Sequence, residues 1–221
     1  MIVILPVFTW SDDDWYARIA NKSKGVGGIG RRSTGKTITS KTKDCEKMKI
    51  NEILVRVAPG NPRQAIVQAG ALTFRAALGR SGRTSRKREG DGATPIAAMR
   101  LLHGYYRRDH LAANLMAGLS MMPIRQSMLW CDAPDDANYN RPIRAPFGKS
   151  HEAMMRKDHL YDICLVMDWN ISCRRRGCGS AIFFHIAKPG YQPTEGCVAI
   201  SKKDMLRLLP LIGPKTIVRV L

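Results

Sequence analysis

The sequence predicts a mainly β domain with a few short helices over residues 49–221. Short apolar runs recur along this region, and turns containing Gly and Pro separate them, as in strand-rich folds. Apolar residues make up 44% of the chain, which is enough for a sizeable core and excludes a wholly disordered protein. No run approaches the roughly 18 apolar residues of a membrane-spanning helix, so no transmembrane segment is expected.

The domain begins with a predicted hairpin. Ile53–Val57 is a strand-like run, and Pro59–Pro62 is a turn that leads into further apolar residues at 65–67. Residues 71–74 continue the strand pattern. These runs favour consecutive antiparallel strands at the start of the domain.

Two middle segments fit helices. Thr94 can cap a helix that ends at Gly104, although an extended structure fits the same residues. After an irregular connection at 131–148, Ser150–Lys157 is expected to form a short helix capped by its first residue.

The last third of the domain has the clearest pattern. Two continuous apolar runs, Tyr161–Asp168 and Ala181–Ile186, are typical of buried strands. Ser201 and Asp204 have the spacing of a capping box, which predicts the start of a helix. The chain closes with another strand-like run, Ile217–Val220.

Residues 1–48 are expected to be a basic, flexible segment outside this domain, because they are rich in Gly, Ser, Thr and Lys. Met1–Trp10 is apolar, but no Lys or Arg precedes it. It carries Pro6 and leads into Asp12–Asp14, so it does not have the pattern of a cleavable secretory signal.

Two phosphate-binding motifs occur in the N-terminal segment without the context that they need. Gly30–Thr37 matches the P-loop pattern, and the apolar run before Asp168 resembles a magnesium-binding strand. However, no buried strand precedes the loop and no apolar helix follows it. Gly25–Gly30 matches G-x-G-x-x-G and likewise lacks a βαβ unit. We therefore expect no nucleotide site.

The chain is strongly basic, with 36 Lys and Arg against 18 Asp and Glu and a formal charge of +18. This excess predicts an anionic polymer or surface as partner or surroundings. No recognition helix, stacking aromatic motif or zinc finger indicates specific nucleic-acid binding. We interpret one basic run as a solvated loop, formed by Arg80, Arg83, Arg86, Lys87 and Arg88.

One candidate catalytic pair stands out. His185 lies at the end of a predicted strand, and Cys197 follows 12 residues later, directly after Gly196. A thiolate is a nucleophile, an imidazole can take its proton, and a preceding glycine lets backbone amides face a developing oxyanion. Spacing alone leaves two alternatives open: a core histidine with a buried thiol, and a zinc site that adds Cys173 and Cys178.

Several motifs, in order, resemble the catalytic domain of the L,D-transpeptidases, the YkuD family. Gly179–His185 and Pro193–Ser201 are similar to its active-site region, and Gly90–Pro95 to an upstream stretch with Gly-Asp and Thr-Pro. Tyr161–Asn170 is similar as well. The likeness covers the predicted domain and excludes the first 48 residues. It implies a β-sandwich in which the segment after Thr94 is extended.

The resemblance also implies a reaction. A thiolate attacks the carbonyl of a diamino acid in a peptidoglycan tetrapeptide stem and releases the terminal D-alanine. An amine of a neighbouring stem then takes the acyl group, and in some relatives a protein amine or water does so. No cofactor or metal takes part, carbapenems acylate the cysteine, and the implied location is the periplasm or cell envelope of a bacterium. By position, Cys197 is the nucleophile, His185 the general base, and the amides of Gly196 and Cys197 the oxyanion hole.

The sequence departs from the commoner members, which have Ser-His-Gly-Cys and an Arg two residues after the Cys. Thr194, Glu195 and Ala199 occupy those positions here. Thr194, Glu195 and Ser180 are therefore assigned supporting roles, with Glu195 expected to face solvent rather than the imidazole. Other residues would then bind the substrate and its carboxylate, and the candidates are Tyr191, Lys188, Arg174, Arg175 and Arg176.

Two further functions stay open at this level. The first is a basic module that binds nucleic acid or wall polymer without catalysis, which salt-dependent binding without thiol reactivity would identify. The second is an L,D-carboxypeptidase, which uses the same site with water as the acceptor.

Overall fold

The computed structural model describes residues 49–111 and 115–221, so the N-terminal segment and its two phosphate motifs lie outside the described residues. The described chain is mainly β, as predicted, with one short α-helix, α1, at Lys202–Leu208 and 3-10 turns at Pro189–Tyr191 and Leu209–Leu211. The strands in chain order are β1 Glu52–Ala58, β2 Asn61–Ala69, β3 Leu72–Ala77, β4 Arg83–Thr84, β5 Thr94–Pro95, β6 Ala98–Tyr106, β7 Met121–Pro123, β8 Met128–Cys131, β9 Arg141–Arg144, β10 His151–Ala153, β11 Ile163–Met167, β12 Phe183–Ile186, β13 Val198–Ile200 and β14 Ile217–Val220.

Nine strands form one mixed sheet in the order β11–β12–β13–β3–β2–β1–β14–β6–β7. Because β11 also pairs with β6, the sheet closes on itself. Alternate side chains of its strands point inward and fill one apolar core, which gives the expected sandwich-like packing. Its fully buried members include Ile53, Val67, Leu165 and Val218.

A second apolar cluster covers the outer face of β11 and β12. Cys164 and Phe183 point to this face, because successive side chains of a strand alternate in direction. The three-stranded sheet β10–β8–β9 supplies Trp130, whose ring lies edge-on to the ring of Phe183 with centroids 5.0 Å apart. Cys197 belongs to this second cluster. The fold therefore places the candidate nucleophile outside the main core.

The segment after Thr94 is extended rather than helical. Along β6, Met99 and Leu101 are buried and Arg100 between them is exposed, which is the period of a strand. Thr94 does not cap a helix; its Oγ1 accepts the Gly79 N–H at 2.9 Å. Sheet partners on both sides of β6 satisfy its backbone, and this tertiary pairing overrides local helix propensity.

The helix predicted at Ser150–Lys157 is wrong. Its residues form β10, which runs antiparallel to β8 with Glu152 opposite Trp130. A helix of two turns is marginal by itself, whereas a strand beside β8 gains a hydrogen-bonded ladder. Glu152 and Arg156 still form an ion pair, across a bend in the chain.

The terminal elements of the domain follow the prediction. Gly60, with φ 76°, makes the turn between β1 and β2. Ser201 caps α1, since its Oγ accepts the Asp204 N–H at 3.1 Å. β14 occupies the predicted C-terminal strand. Among the described residues, no helix has the length and apolar character needed to cross a bilayer.

Candidate active site

A cavity of about 330 Å³ holds the candidate catalytic pair on the outer face of the sheet. Tyr191 and Arg176 do not contribute to its lining, and the cations that border it are Lys188 and Arg156. The residues singled out from the sequence that do line it are Cys197, His185, Ser180, Lys188, Thr194 and Glu195.

The thiol of Cys197 lies in a buried hydrogen-bonded position just before β13. It donates to the carbonyl oxygen of Ala181 at 3.2 Å and accepts the Phe183 N–H at 3.3 Å. Burial raises the pKa of Cys197 to about 12, although the Phe183 N–H acts in the opposite direction. The resting cysteine is therefore a neutral thiol that needs a base.

Gly196 fixes the turn that carries this thiol. Its φ of 135° lies in a region that favours glycine, and a Cβ built on it would lie 2.9 Å from the Ala93 carbonyl oxygen. Thr194 holds the same turn, because its hydroxyl accepts the Gly196 N–H at 3.1 Å and donates to the Cys197 carbonyl at 2.7 Å.

The two amides expected to form an oxyanion hole, those of Gly196 and Cys197, are not equally available. The Gly196 N–H already donates to Thr194 Oγ1. Of these two amides, the Cys197 N–H is the one that could donate to an oxyanion. Thr194 thus fixes the loop beside Cys197.

The side chain of His185 lies on the same face of the sheet as the thiol. β12 and β13 are parallel, and His185 lies opposite Ala199, two residues beyond Cys197. Its Nδ1 is 2.9 Å from the Ile186 carbonyl oxygen. Because a carbonyl only accepts, Nδ1 carries the proton and Nε2 has the free lone pair. This tautomer suits a base that takes a proton at Nε2.

The two groups are separate in the resting structure. No hydrogen bond between described residues joins the imidazole of His185 to the thiol of Cys197. Burial lowers the pKa of His185 to about 4, even though the Ile186 carbonyl favours the protonated form. For His185 to act as the base, the thiol would have to leave the Ala181 carbonyl before its proton could reach Nε2. Catalytic hydrogen bonds commonly form only when substrate binds.

Glu195 and Ser180 take different positions around the cavity. Glu195 faces solvent, with its side chain 78% exposed, and accepts a hydrogen bond from Arg80 Nε at 2.7 Å. It therefore does not orient the imidazole. Ser180 Oγ donates to Glu89 Oε2 at 2.8 Å, and the hydroxyl of Tyr139 donates to the same oxygen. Ser180 thus anchors a carboxylate at the cavity wall.

Sequence reasoning missed the charged wall opposite this carboxylate. Arg156 forms ion pairs with Glu152 and Asp158, and its guanidinium carbon lies 5.1 Å from the centre of the Tyr161 ring. Burial raises the pKa of Glu152, and the neighbouring Arg156 opposes this shift. A helix would also bring Glu152 and Arg156 together at i,i+4, but their place in the cavity wall depends on the pairing of β10 with β8, which the predicted helix did not include.

The zinc alternative needs Cys173 and Cys178 beside His185 and Cys197, and neither of these two cysteines lines the cavity. Cys173 and Cys178 are free thiols. Within residues 49–111 and 115–221, one group of side chains has the spacing of metal ligands, and it lies elsewhere, at His110, His159 and Asp162. There, Lys202 Nζ already donates to Asp162 at 2.8 Å, so protein cations compensate the buried carboxylate.

One comparison with known proteins, the family model, agrees with the motif assignment. The family model described as the YkuD L,D-transpeptidase catalytic domain matches residues 53–220. A search of the curated proteins gives no significant match. Among solved structures, that of L,D-transpeptidase 1 from Mycobacterium tuberculosis is similar, with 11% identity and a TM-score of 0.33. The alignment covers 76% of this chain and 61% of that protein, so this chain spans less than two thirds of its length.

Proposed function

Because the chain belongs to the YkuD family of L,D-transpeptidase catalytic domains, we propose that it is a peptidoglycan L,D-transpeptidase that works through a cysteine acyl-enzyme in the cell envelope. One observation carries the proposal: Cys197 and His185 border the same cavity, and the imidazole has its Nε2 lone pair available. The family supports peptidoglycan stem peptides as the substrate class.

The geometry supports a two-step acyl transfer. His185 Nε2 takes the proton of Cys197, and Sγ forms a bond to the carbonyl carbon of the diamino acid in the donor stem. The Cys197 N–H stabilises the oxyanion. The intermediate then expels the amine of the terminal D-alanine, which takes the proton from the imidazolium, and a thioester remains. In the second step an acceptor amine attacks the thioester and His185 takes its proton. The C–S bond then breaks, and Sγ receives that proton from the imidazolium, which restores the neutral thiol and imidazole.

The carboxylate of the donor stem peptide needs a cation to bind it. The commoner family members have an Arg two residues after the Cys, and this chain does not. Ala199 occupies that position and is fully buried, so it cannot contact substrate. Arg156 borders the cavity but is already paired with carboxylates. We assign the carboxylate to Lys188, which lines the cavity and whose charge acts on His185.

The test is product analysis with purified disaccharide tetrapeptide that ends in D-alanine. We expect a cross-linked dimer that has lost one D-alanine, detected by mass spectrometry, and no dimer with Cys197→Ala. Disaccharide tripeptide alone would identify a carboxypeptidase. Absence of both products from a folded wild-type protein would contradict the proposal.

A further inference from the structure

Lys87 differs from the other basic residues of its loop because it is buried. Arg80, Arg86 and Arg88 are exposed, as expected of a solvated loop, whereas the side chain of Lys87 is only 3% exposed. Its Nζ forms an ion pair with Asp91 and donates to the Arg88 carbonyl at 3.0 Å. Removing an ammonium group from water is costly, so its position calls for a physical reason.

The side chain of Lys87 lies against Gly179 and Gly196, which belong to the two loops that hold the thiol of Cys197. A Cβ built on Gly179 would lie 2.8 Å from Lys87 Cγ, and one built on Gly196 would lie 3.5 Å from Lys87 Nζ. Gly179 leads into the loop whose Ala181 carbonyl holds Sγ, and Gly196 directly precedes Cys197. The ammonium therefore lies beside the backbone that carries the nucleophile.

Asp91 links this ammonium to the same turn. Its carboxylate accepts the N–H groups of Arg88 at 2.8 Å and Ala93 at 2.9 Å, and the carbonyl of Ala93 packs against Gly196. Burial acts to raise the pKa of Asp91, but the bond from Lys87 and these two N–H groups outweigh it and lower the pKa. Asp91 is therefore ionised, and its bonds to Lys87, Arg88 and Ala93 brace this loop against the cysteine loop.

We propose that Lys87 is a positioning residue for the reaction of Cys197: its ammonium, held by Asp91, favours the negative charge that develops on Sγ and on the oxyanion. The inference rests on the proposed role of Cys197 as nucleophile. When His185 accepts the thiol proton, the cation beside Gly196 attracts the charge left on Sγ. Lys87 keeps its own proton, and no bond to it forms or breaks.

The other groups around the thiol do not by themselves supply the positive charge that favours a thiolate. Arg156 is a second nearby cation that also favours a thiolate, and the charge of its partner Glu152 acts in the opposite direction. Tyr161 and Cys164 stay neutral, because burial raises the pKa of each well above its usual range. Lys87 is thus the cation that lies beside Gly196, the residue that precedes the nucleophile.

The test compares Lys87→Met with Asp91→Asn. Met keeps an apolar stem of similar length without the charge, and Asn keeps the shape of Asp91 without the counter-charge. The rate of alkylation of Cys197 by iodoacetamide is measured at fixed pH values from about 7 to 9, with thermal midpoints recorded alongside. Digestion after Glu195 gives a C-terminal peptide in which Cys197 is the one cysteine.

We expect Lys87→Met to slow alkylation of Cys197 by about tenfold, equivalent to about one pKa unit, and Asp91→Asn to speed it. A merely structural role would lower both thermal midpoints and move both rates in the same direction. A folded Lys87→Met variant with a rate within about twofold of wild type would overturn the proposal. If that variant does not fold, an unchanged or slower rate in Asp91→Asn would overturn it. Failure of the tetrapeptide assay in the wild type would contradict the proposed function and leave this comparison intact.

Discussion

Replacing His185 with Gln should lower the rate of Cys197 acylation by about 10²- to 10⁴-fold, the usual loss when a general base is removed. Gln can still donate to the Ile186 carbonyl, but it has no basic nitrogen for the thiol proton. The rate is measured as the appearance of the carbapenem-acylated protein by quenched-flow mass spectrometry. His151→Gln is the matched control, because His151 is exposed on β10 and its Nδ1 bonds to the Lys149 carbonyl. A comparable loss in both variants would contradict the assignment of the base.

The same residue sets the acidic limit of the reaction. Burial lowers the pKa of His185 to about 4, so the imidazole stays neutral at pH 5 and loses its function as a base only near pH 4. The unfolded chain binds this proton below about pH 6.5, so the free energy of unfolding also falls as the pH drops from about 6.5 towards 4. An acid limb of the acylation rate centred near pH 6.5 would show that the base is not a buried imidazole.

Gly196→Ala should reduce acylation by about 10²-fold or more, because a displacement of about 1 Å at a reacting group has this effect. The added methyl group meets the Ala93 carbonyl oxygen at 2.9 Å and Ile182 Cδ1 at 3.4 Å, in a backbone conformation that L-residues rarely adopt. The turn must shift, and both the thiol and the Cys197 N–H move with it. We also expect a lower thermal midpoint.

Gly148→Ala is the control for this substitution. A Cβ built at Gly148 has no neighbour within 4 Å, and its φ is not in the left-handed region. Its acylation rate and thermal midpoint should match those of the wild type. Wild-type acylation in a folded Gly196→Ala variant would mean that the turn does not position the nucleophile.

Much of the strand content could be predicted from the sequence, because the apolar runs at β11 and β12 are local signals of burial on both faces. The pairing of β10 with β8 could not, since it depends on residues some twenty positions apart, and Ser150 offered a competing helix cap. The cavity wall formed by Glu152 and Arg156 was missed for the same reason.

The candidate site shows a similar division. Cys197, His185 and Gly196 could be singled out because their residue types suit acyl transfer and they lie within one stretch of 13 residues that resembles a family motif. The engagement of the Gly196 N–H by Thr194 depends on side-chain geometry that no motif records. Lys87 was hidden in a run of exposed basic residues, and its burial against Asp91, which depends on the tertiary fold, separates it from them.

The intact mass of the protein after incubation with a carbapenem shows whether Cys197 is an acylatable nucleophile. The thiolate opens the β-lactam ring, so one adduct with the full mass of the carbapenem is expected on the wild type. Cys178→Ala, which removes a half-buried free thiol, should carry the same adduct, and Cys197→Ala should carry none. An unmodified wild-type protein that is well folded, or an adduct that persists in Cys197→Ala, would contradict the account.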